Sequence, residues 1–248
     1  MFDSMLPISY YREIADLNKD HGVSVVQHIE THKIYIRKVM QIYSLPVYEQ
    51  LFYHPVRGIP RIYAMYAAPN HGPLTVIEEY ISGDTLQEVL NLCGPLSEQD
   101  VLSFASKLCG ILSSLQSFTP PIVHRDIKPS NIILTEDERI VLLDLNAARQ
   151  NDHKGSRDTQ LLGTAGFAAP EQYGFASSSP RADIYAVGIL MKALLTGDES
   201  GSTPLPSSVS RRTRSIIDHC TQMDPKNRYP SAAALQKALH RHRPFRNV

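Results

Sequence analysis

His124-Arg125-Asp126-Ile127-Lys128-Pro129-Ser130-Asn131, continued by Ile132-Ile133-Leu134-Thr135, Glu136-Asp137-Glu138-Arg139, Ile140-Val141-Leu142-Leu143 and Asp144, is the stretch that decides the fold. Two apolar runs rich in β-branched residues flank a short charged connection, and this pattern predicts an antiparallel hairpin. Asn131 precedes the first strand and Asp144 follows the second, so the hairpin brings an amide oxygen and a carboxylate to one open end. Asp126, on the loop leading into the hairpin, reaches the same place as a third oxygen ligand or a base. Hard oxygen donors converging in this way suit Mg²⁺ carrying a nucleotide's phosphates, because that ion prefers carboxylates, water and phosphate oxygens.

The same residues fit H-R-D-x-x-x-x-N followed by the aspartate of D-F-G, and here the sequence resembles the eukaryotic-type (Hanks-type) serine/threonine protein kinases. The resemblance covers roughly residues 10–239 and implies an α+β, two-lobed protein-kinase-like fold. A small β-rich lobe with one helix would occupy residues 1–78; the hinge and a larger helical lobe would occupy residues 79–248. It implies that Asp126 orients and deprotonates the acceptor hydroxyl, that Lys128 stabilises the transferring phosphoryl group, and that Asn131 and Asp144 hold metal. His124 and Arg125 would be structural. Lys128, two positions after Asp126, follows the pattern of serine/threonine-directed members.

Working outward, 248 residues with 42% hydrophobic content can bury a substantial core. Lys+Arg and Asp+Glu balance at 25 each, which leaves no global basic field to argue for nucleic acid or an anionic membrane. Cys93, Cys109 and Cys220 are far apart, odd in number and without metal-ligand spacing, as expected of thiols in a reducing compartment. The first seven residues carry neither a basic nor an apolar leader region, and the best apolar run, residues 184–191, is far short of a membrane span. A cytoplasmic catalytic domain is the expectation. The ten histidines show no ligand spacing, and the basic tail over residues 240–246 reads as a solvated helix end.

Before the hairpin, residues 23–28, 33–40, 62–67 and 74–79 carry β-formers at short spacing, with a helical piece over residues 43–53. Lys38 resembles the strand lysine that serves the α- and β-phosphates, with Arg37 and Lys33 as competitors whose register fits less well. The glycines of the phosphate-covering loop are replaced: their positions align with Asn18, Asp20 and Val23, and only Gly22 lies nearby. Such glycines let backbone amides approach phosphates closely, so the clamp is expected to be weaker or differently shaped. The resemblance implies that Val25 is the apolar residue over adenine and that Glu79, Ile81 and Ile133 are also ATP-binding residues.

Two glutamates compete for Lys38. Glu49 lies on the helical piece, with Phe52, Tyr53 and Val56 expected along one apolar face. Glu78 stands at the usually apolar gatekeeper position, just before Glu79 opens the hinge; a buried carboxylate there needs a charged partner. Adjacent strands are expected to bring Lys38 to Glu78, since the pair relieves two burial costs at once, and Glu49 would then be partly redundant.

After the hinge, helical periodicity appears at residues 85–93, 97–118, 191–195, 211–223 and 232–240. Leu145-Asn146 replaces the usual Phe-Gly: Leu145 can still fill an apolar slot, and Asn146 narrows the backbone options of glycine while tolerating the left-handed region better than most residues. Ala169-Pro170-Glu171 matches A-P-E. The resemblance implies that Glu171 pairs with Arg228 and that Asp183 ties down the catalytic loop. Thr164, after Gly163, would be a substrate-side hydroxyl, and Thr159, ahead of Ser156, an activating phosphorylation site. The functional expectation is ATP- and Mg²⁺-dependent phosphorylation of serine and threonine in a protein substrate, self-phosphorylation included. A noncatalytic pseudokinase and a small-molecule kinase are the alternatives, and the oligomeric state is left open.

Overall fold

The structure is a computed structural model describing residues 8–19, 22–70, 72–151, 166–173, 179–200 and 202–240. Its first part is a five-stranded antiparallel sheet: β1 (Tyr11–Asn18), β2 (Val23–His28), β3 (Ile34–Met40), β4 (Ile62–Ala67) and β5 (Leu74–Glu79), in the order β1-β2-β3-β5-β4. Helix α1 (Leu45–Tyr53) lies between β3 and β4 in sequence. The period of two divides the sheet's side chains between two cores. Val26, Ala64 and Ile77 join Tyr11 in a small cluster, while Met40, Leu74 and Val76 join Val47, Tyr48 and Leu51 of α1. The second cluster continues into the helical part of the chain, so the cleft-facing side of the sheet shares one apolar core with the helices.

β1 was not placed as a separate strand by the sequence pattern, and the reason is visible. It is an edge strand with two register irregularities, and past Tyr11 all its residues are exposed, Ile14 and Leu17 included. Bulges of this kind break the alternation that signals a strand.

Beyond β5 come β6 (Asp84–Thr85), α2 (Leu86–Cys93), α3 (Glu98–Gln116), β7 (Ile122–Val123), β8 (Ile132–Leu134), β9 (Ile140–Leu142), β10 (Arg149–Gln150), α4 (Pro180–Thr196), α5 (Arg211–Cys220) and α6 (Ala232–His240). The helix starts are built from side chains. Thr85 and Glu88 form a reciprocal capping box on α2, and Ser97 accepts from the Asp100 N–H at the start of α3. Along α3 the buried Val101, Ala105, Leu108, Leu112 and Leu115 recur at three- and four-residue intervals, which explains why this helix was legible. Helix α4 was recognised only in its last turns. Eleven of its residues are buried, so it lacks the amphipathic period that marks a surface helix.

Among the described residues no helix is long and apolar enough to cross a membrane. The observed architecture is the two-part α+β arrangement that the sequence implied. Residues 1–7, Asp20, the segment carrying Ser156, Thr159, Gly163 and Thr164, and the basic tail after His240 lie outside the described residues.

Candidate active site

The hairpin forms as expected. β8 and β9 pair antiparallel, with Ile133 opposite Val141, and the Leu143 N–H donates to the Asn131 carbonyl at 2.8 Å. That bond extends the ladder by one step and puts Asn131 beside the Leu143-Asp144 end. The Asn131 Nδ2 donates to both the Asp126 carbonyl and its Oδ2, each at 2.9 Å. Lys128 Nζ lies 3.1 Å from the same Oδ2. Asp126, Lys128 and Asn131 are thus one bonded group.

Asp144 adopts φ of 61° and Arg125 φ of 72°; Asn146 does not share this conformation. The left-handed residue of the Asp-Leu-Asn segment is therefore its first, so Asn146 is not called on for the backbone freedom of the glycine it replaces. Asp144 Oδ1 accepts from the Asn146 N–H at 3.1 Å, a side-chain turn that suits aspartate in this conformation.

Three sets of buried contacts fix the catalytic loop and the Ala-Pro-Glu segment to the helical part. Asp183 Oδ2 and Oδ1 accept from the His124 and Arg125 N–H groups, both at 2.9 Å. Burial raises the Asp183 carboxyl above its usual range, against the pull of His124, the two N–H donors and the Arg125 guanidinium. The second is the fork between Glu171 and Arg228, with Nη1 to Oε1 at 2.7 Å and Nη2 to Oε2 at 2.9 Å. Arg228 also stands over the Tyr185 ring, 4.9 Å from its centre. The third was not foreseen. Gln172 is buried; its Nε2 donates to the Arg125 carbonyl at 2.8 Å and its Oε1 accepts from the Ala169 N–H at 3.0 Å. It braces the end of the Ala-Pro-Glu segment against the catalytic loop, and nothing in the local sequence pattern signals such a role.

On the sheet side, Lys38 Nζ lies 2.6 Å from Glu78 Oε1, with the two side chains 12% and 7% exposed. The register explains the meeting: Glu78 is opposite Ile36, and Lys38, two residues on, stands diagonally across on the same face. Burial by itself would lower the Lys38 pKa, but the attraction of Glu78 and Asp144, with the hydrogen bond to Glu78, outweighs it and leaves the amine above the ordinary lysine value. Glu49 does not take part. Among the described residues it makes no ion pair; α1 buries Val47, Tyr48 and Leu51, with Phe52 partly buried against the same core and Tyr53 60% exposed. The partner of Lys38 is thus Glu78, as expected, and the competing candidate, Glu49, is set aside. One residue earlier, Tyr48 turns its hydroxyl inward to Asn146 Oδ1 at 3.2 Å and to Met40 Sδ at 3.1 Å. Burial, together with the nearby Glu78 and Asp144 charges, pushes that phenol well above its usual pKa despite the opposing Arg149. Tyr48 was missed because its neighbour carried the charge.

The residues that the resemblance assigns to the nucleotide's base are held by the sheet and by the chain that leaves it. Val25 is opposite Ile36, which is opposite Glu78, so all three belong to one row across the sheet. Glu79 is tied to β4: its N–H donates to the Arg61 carbonyl at 2.8 Å, and its Oε2 accepts from the Arg61 N–H at 3.2 Å. Ile81 follows, half-buried, and Gly83 lets the chain pass against β8. At Gly83, φ is 150° and an added Cβ would come within 2.3 Å of the Leu134 carbonyl and 2.8 Å of the Ile133 side chain. Gly22, the nearest glycine to the phosphate-covering loop, serves the sheet instead. An added Cβ there would meet the Val39 carbonyl at 2.7 Å, and the Gly22 carbonyl accepts the Val39 N–H at 2.9 Å.

The donor set at the hairpin's open end fits Mg²⁺. With its Nδ2 committed to Asp126, Asn131 has its amide oxygen left for a cation, and Asp144, with Oδ1 on a backbone N–H, has Oδ2. Two hard oxygens leave the other positions of an octahedral ion to water and phosphate.

A β-sheet joined to a helical part, with Asp126, Lys128, Asn131 and Asp144 gathered beneath a lysine-bearing strand, defines the class. The family model described as Protein kinase domain matches residues 23–240, and the chain belongs to that family. It is similar to serine/threonine-protein kinase PknB of Mycolicibacterium smegmatis, with 28% identity over 209 residues, covering 73% of this chain and 33% of that protein. It is also similar to serine/threonine-protein kinase D of Synechocystis, with 32% identity over 205 residues, covering 73% and 38%. A third relative, serine/threonine-protein kinase PknL of Mycobacterium tuberculosis, is 31% identical over 180 residues, covering 64% and 45%. The chain thus spans about a third to under a half of the length of the curated relatives it matches.

Proposed function

We propose that the chain transfers the γ-phosphoryl group of ATP, with Mg²⁺, to serine and threonine hydroxyls of proteins, its own included. The observation that carries this reading is the bonded group of Asp126, Lys128 and Asn131 beside Asp144. A purely structural hairpin has no use for that set. In this reading residues 1–78 form the nucleotide-covering lobe of a cytoplasmic enzyme, and residues 79–248 form the hinge and the lobe that positions the acceptor.

Asp126 accepts the proton of the attacking hydroxyl, held for that task by the Asn131 amide. Lys128, on the same carboxylate, is placed to offset charge on the group in flight. Asn131 and Asp144 would hold Mg²⁺, which when bound offsets the charge of the phosphate oxygens. Lys38 is kept protonated by Glu78 and Asp144 and so remains a cation for the phosphates. A second reading, a noncatalytic nucleotide- or partner-binding scaffold, is favoured by one observation: the glycine nearest the phosphate loop is engaged in packing against β3.

Incubation with labelled ATP and Mg²⁺ separates the two. The wild type is expected to label itself or a generic basic protein, and Asp126→Ala is not. Equal labelling by both refutes the transfer mechanism, whereas nucleotide binding without labelling by either establishes the scaffold.

A further inference from the structure

Helix α1 reaches the carboxylate of Asp144 through a residue that carries no charge. Tyr48 is buried, and its hydroxyl faces Asn146 Oδ1 at 3.2 Å and Met40 Sδ at 3.1 Å. A phenol has one proton to give and a thioether is a weak acceptor, so the amide oxygen of Asn146 takes it. Asn146 in turn donates its N–H to Asp144 Oδ1 at 3.1 Å. Arg149 Nη1 closes the same turn on the Asn146 and Ala148 carbonyls, at 3.2 and 2.8 Å.

The turn needs this support. Asp144 has φ of 61°, and a non-glycine residue stays in that conformation only where its surroundings hold it. Asn146 is held at three points: its side chain by Tyr48, its N–H by Asp144 and its carbonyl by Arg149. Lys38, by contrast, receives its carboxylate from within the sheet, and among the described residues α1 makes no ion pair with it.

We propose that Tyr48 is a positioning residue that couples helix α1 to Asp144 through Asn146, so that α1 acts on the Mg²⁺ side of the site and not on Lys38. The proposal rests on the function proposed above, in that Asp144 is taken to hold Mg²⁺. It gives asparagine at this position a purpose that glycine could not serve, since glycine has no side chain for Tyr48 to hold. It also separates two controls: the sheet sets Lys38 through Glu78, and the helix sets Asp144 through Tyr48.

The test is nucleotide affinity, measured by titrating the full chain with a fluorescent ATP analogue in the presence and absence of Mg²⁺. Tyr48→Phe keeps the ring and its packing but removes the hydroxyl. It is expected to lower the affinity measured with Mg²⁺ by about three- to tenfold, the span of one neutral hydrogen bond, and to leave the Mg²⁺-free affinity unchanged. Asn146→Ala should do the same, and the double variant should be no worse than either single one, because both break one connection. Glu78→Gln should weaken binding with and without the ion. Full Mg²⁺ enhancement in Tyr48→Phe, equal loss in both conditions, or additive effects of Tyr48→Phe and Asn146→Ala would each overturn the coupling. A wild type whose affinity ignores Mg²⁺ altogether overturns the assignment of Asp144 as well, which distinguishes the two failures.

Discussion

Replacing Glu78 by glutamine keeps the shape of the side chain and removes the charge that faces Lys38. The pair is 2.6 Å apart with side chains 12% and 7% exposed, so neither group has water to fall back on. Removing one partner of a buried pair costs about 3–5 kcal/mol, because the other charge is left uncompensated. Two features soften this for Glu78→Gln: Lys38 retains the attraction of Asp144, and the amide oxygen can still accept a hydrogen bond. The expected loss is then about 1–3 kcal/mol. Glu78→Leu removes the acceptor too and should reach the full range. For a chain of this size each kcal/mol lowers the melting midpoint by about 2–4 °C. Glu78→Gln should therefore melt about 2–12 °C below wild type, while Glu49→Gln, at a position without an ion pair among the described residues, should cost about 0.5 kcal/mol or less. Thermal unfolding followed by circular dichroism at neutral pH gives the comparison. The combination of Lys38→Met with Glu78→Leu should recover much of the loss, since no buried charge then remains unpaired. Equal destabilisation by Glu49→Gln and Glu78→Gln, or silence from both, would refute the assignment of Lys38 to Glu78.

The protonation of Lys38 predicts a pH dependence. Its pKa in the folded protein lies above the unfolded value, so its stabilising contribution is fully present below about pH 10.4 and is lost as the pH rises through the higher folded value. Wild type should lose stability in that alkaline range that Lys38→Met does not lose, as read from urea midpoints across pH; parallel curves would refute this. Arg228→Met should cost about 3–5 kcal/mol in the same assay, because it leaves the buried Glu171 without its fork, and a loss under about 1 kcal/mol would show that the pair is not structural.

The sequence by itself determined the hairpin and its polar ends. Both depend on residues close together in the chain: the apolar runs Ile132–Leu134 and Ile140–Leu142 pair across a short charged connection, and the pairing delivers Asn131 and Asp144 to one place. The spans of α2 and α3 were legible from helical periodicity for the same reason, and at α3 the cap Ser97 lies within one turn of the N–H it bonds. The order of motifs also placed Glu171, Asp183 and Arg228 in roles that their contacts fit.

What only the tertiary structure decided was the register that turns the expected Lys38–Glu78 pairing into a contact, which face of α1 turns inward and what Gln172 does. Composition could say that a buried Glu78 needs a cation. It could not say that α1 turns Tyr48 toward Asn146 and buries Val47 and Leu51 most deeply, with Phe52 only partly covered and Tyr53 exposed. A helix of nine residues offers too few turns for its apolar period to fix its rotation, so packing against the sheet and the Asp144 loop sets it. The Lys38–Glu78 contact depends likewise on the register between β3 and β5, a relation between strands separated in sequence by α1 and β4.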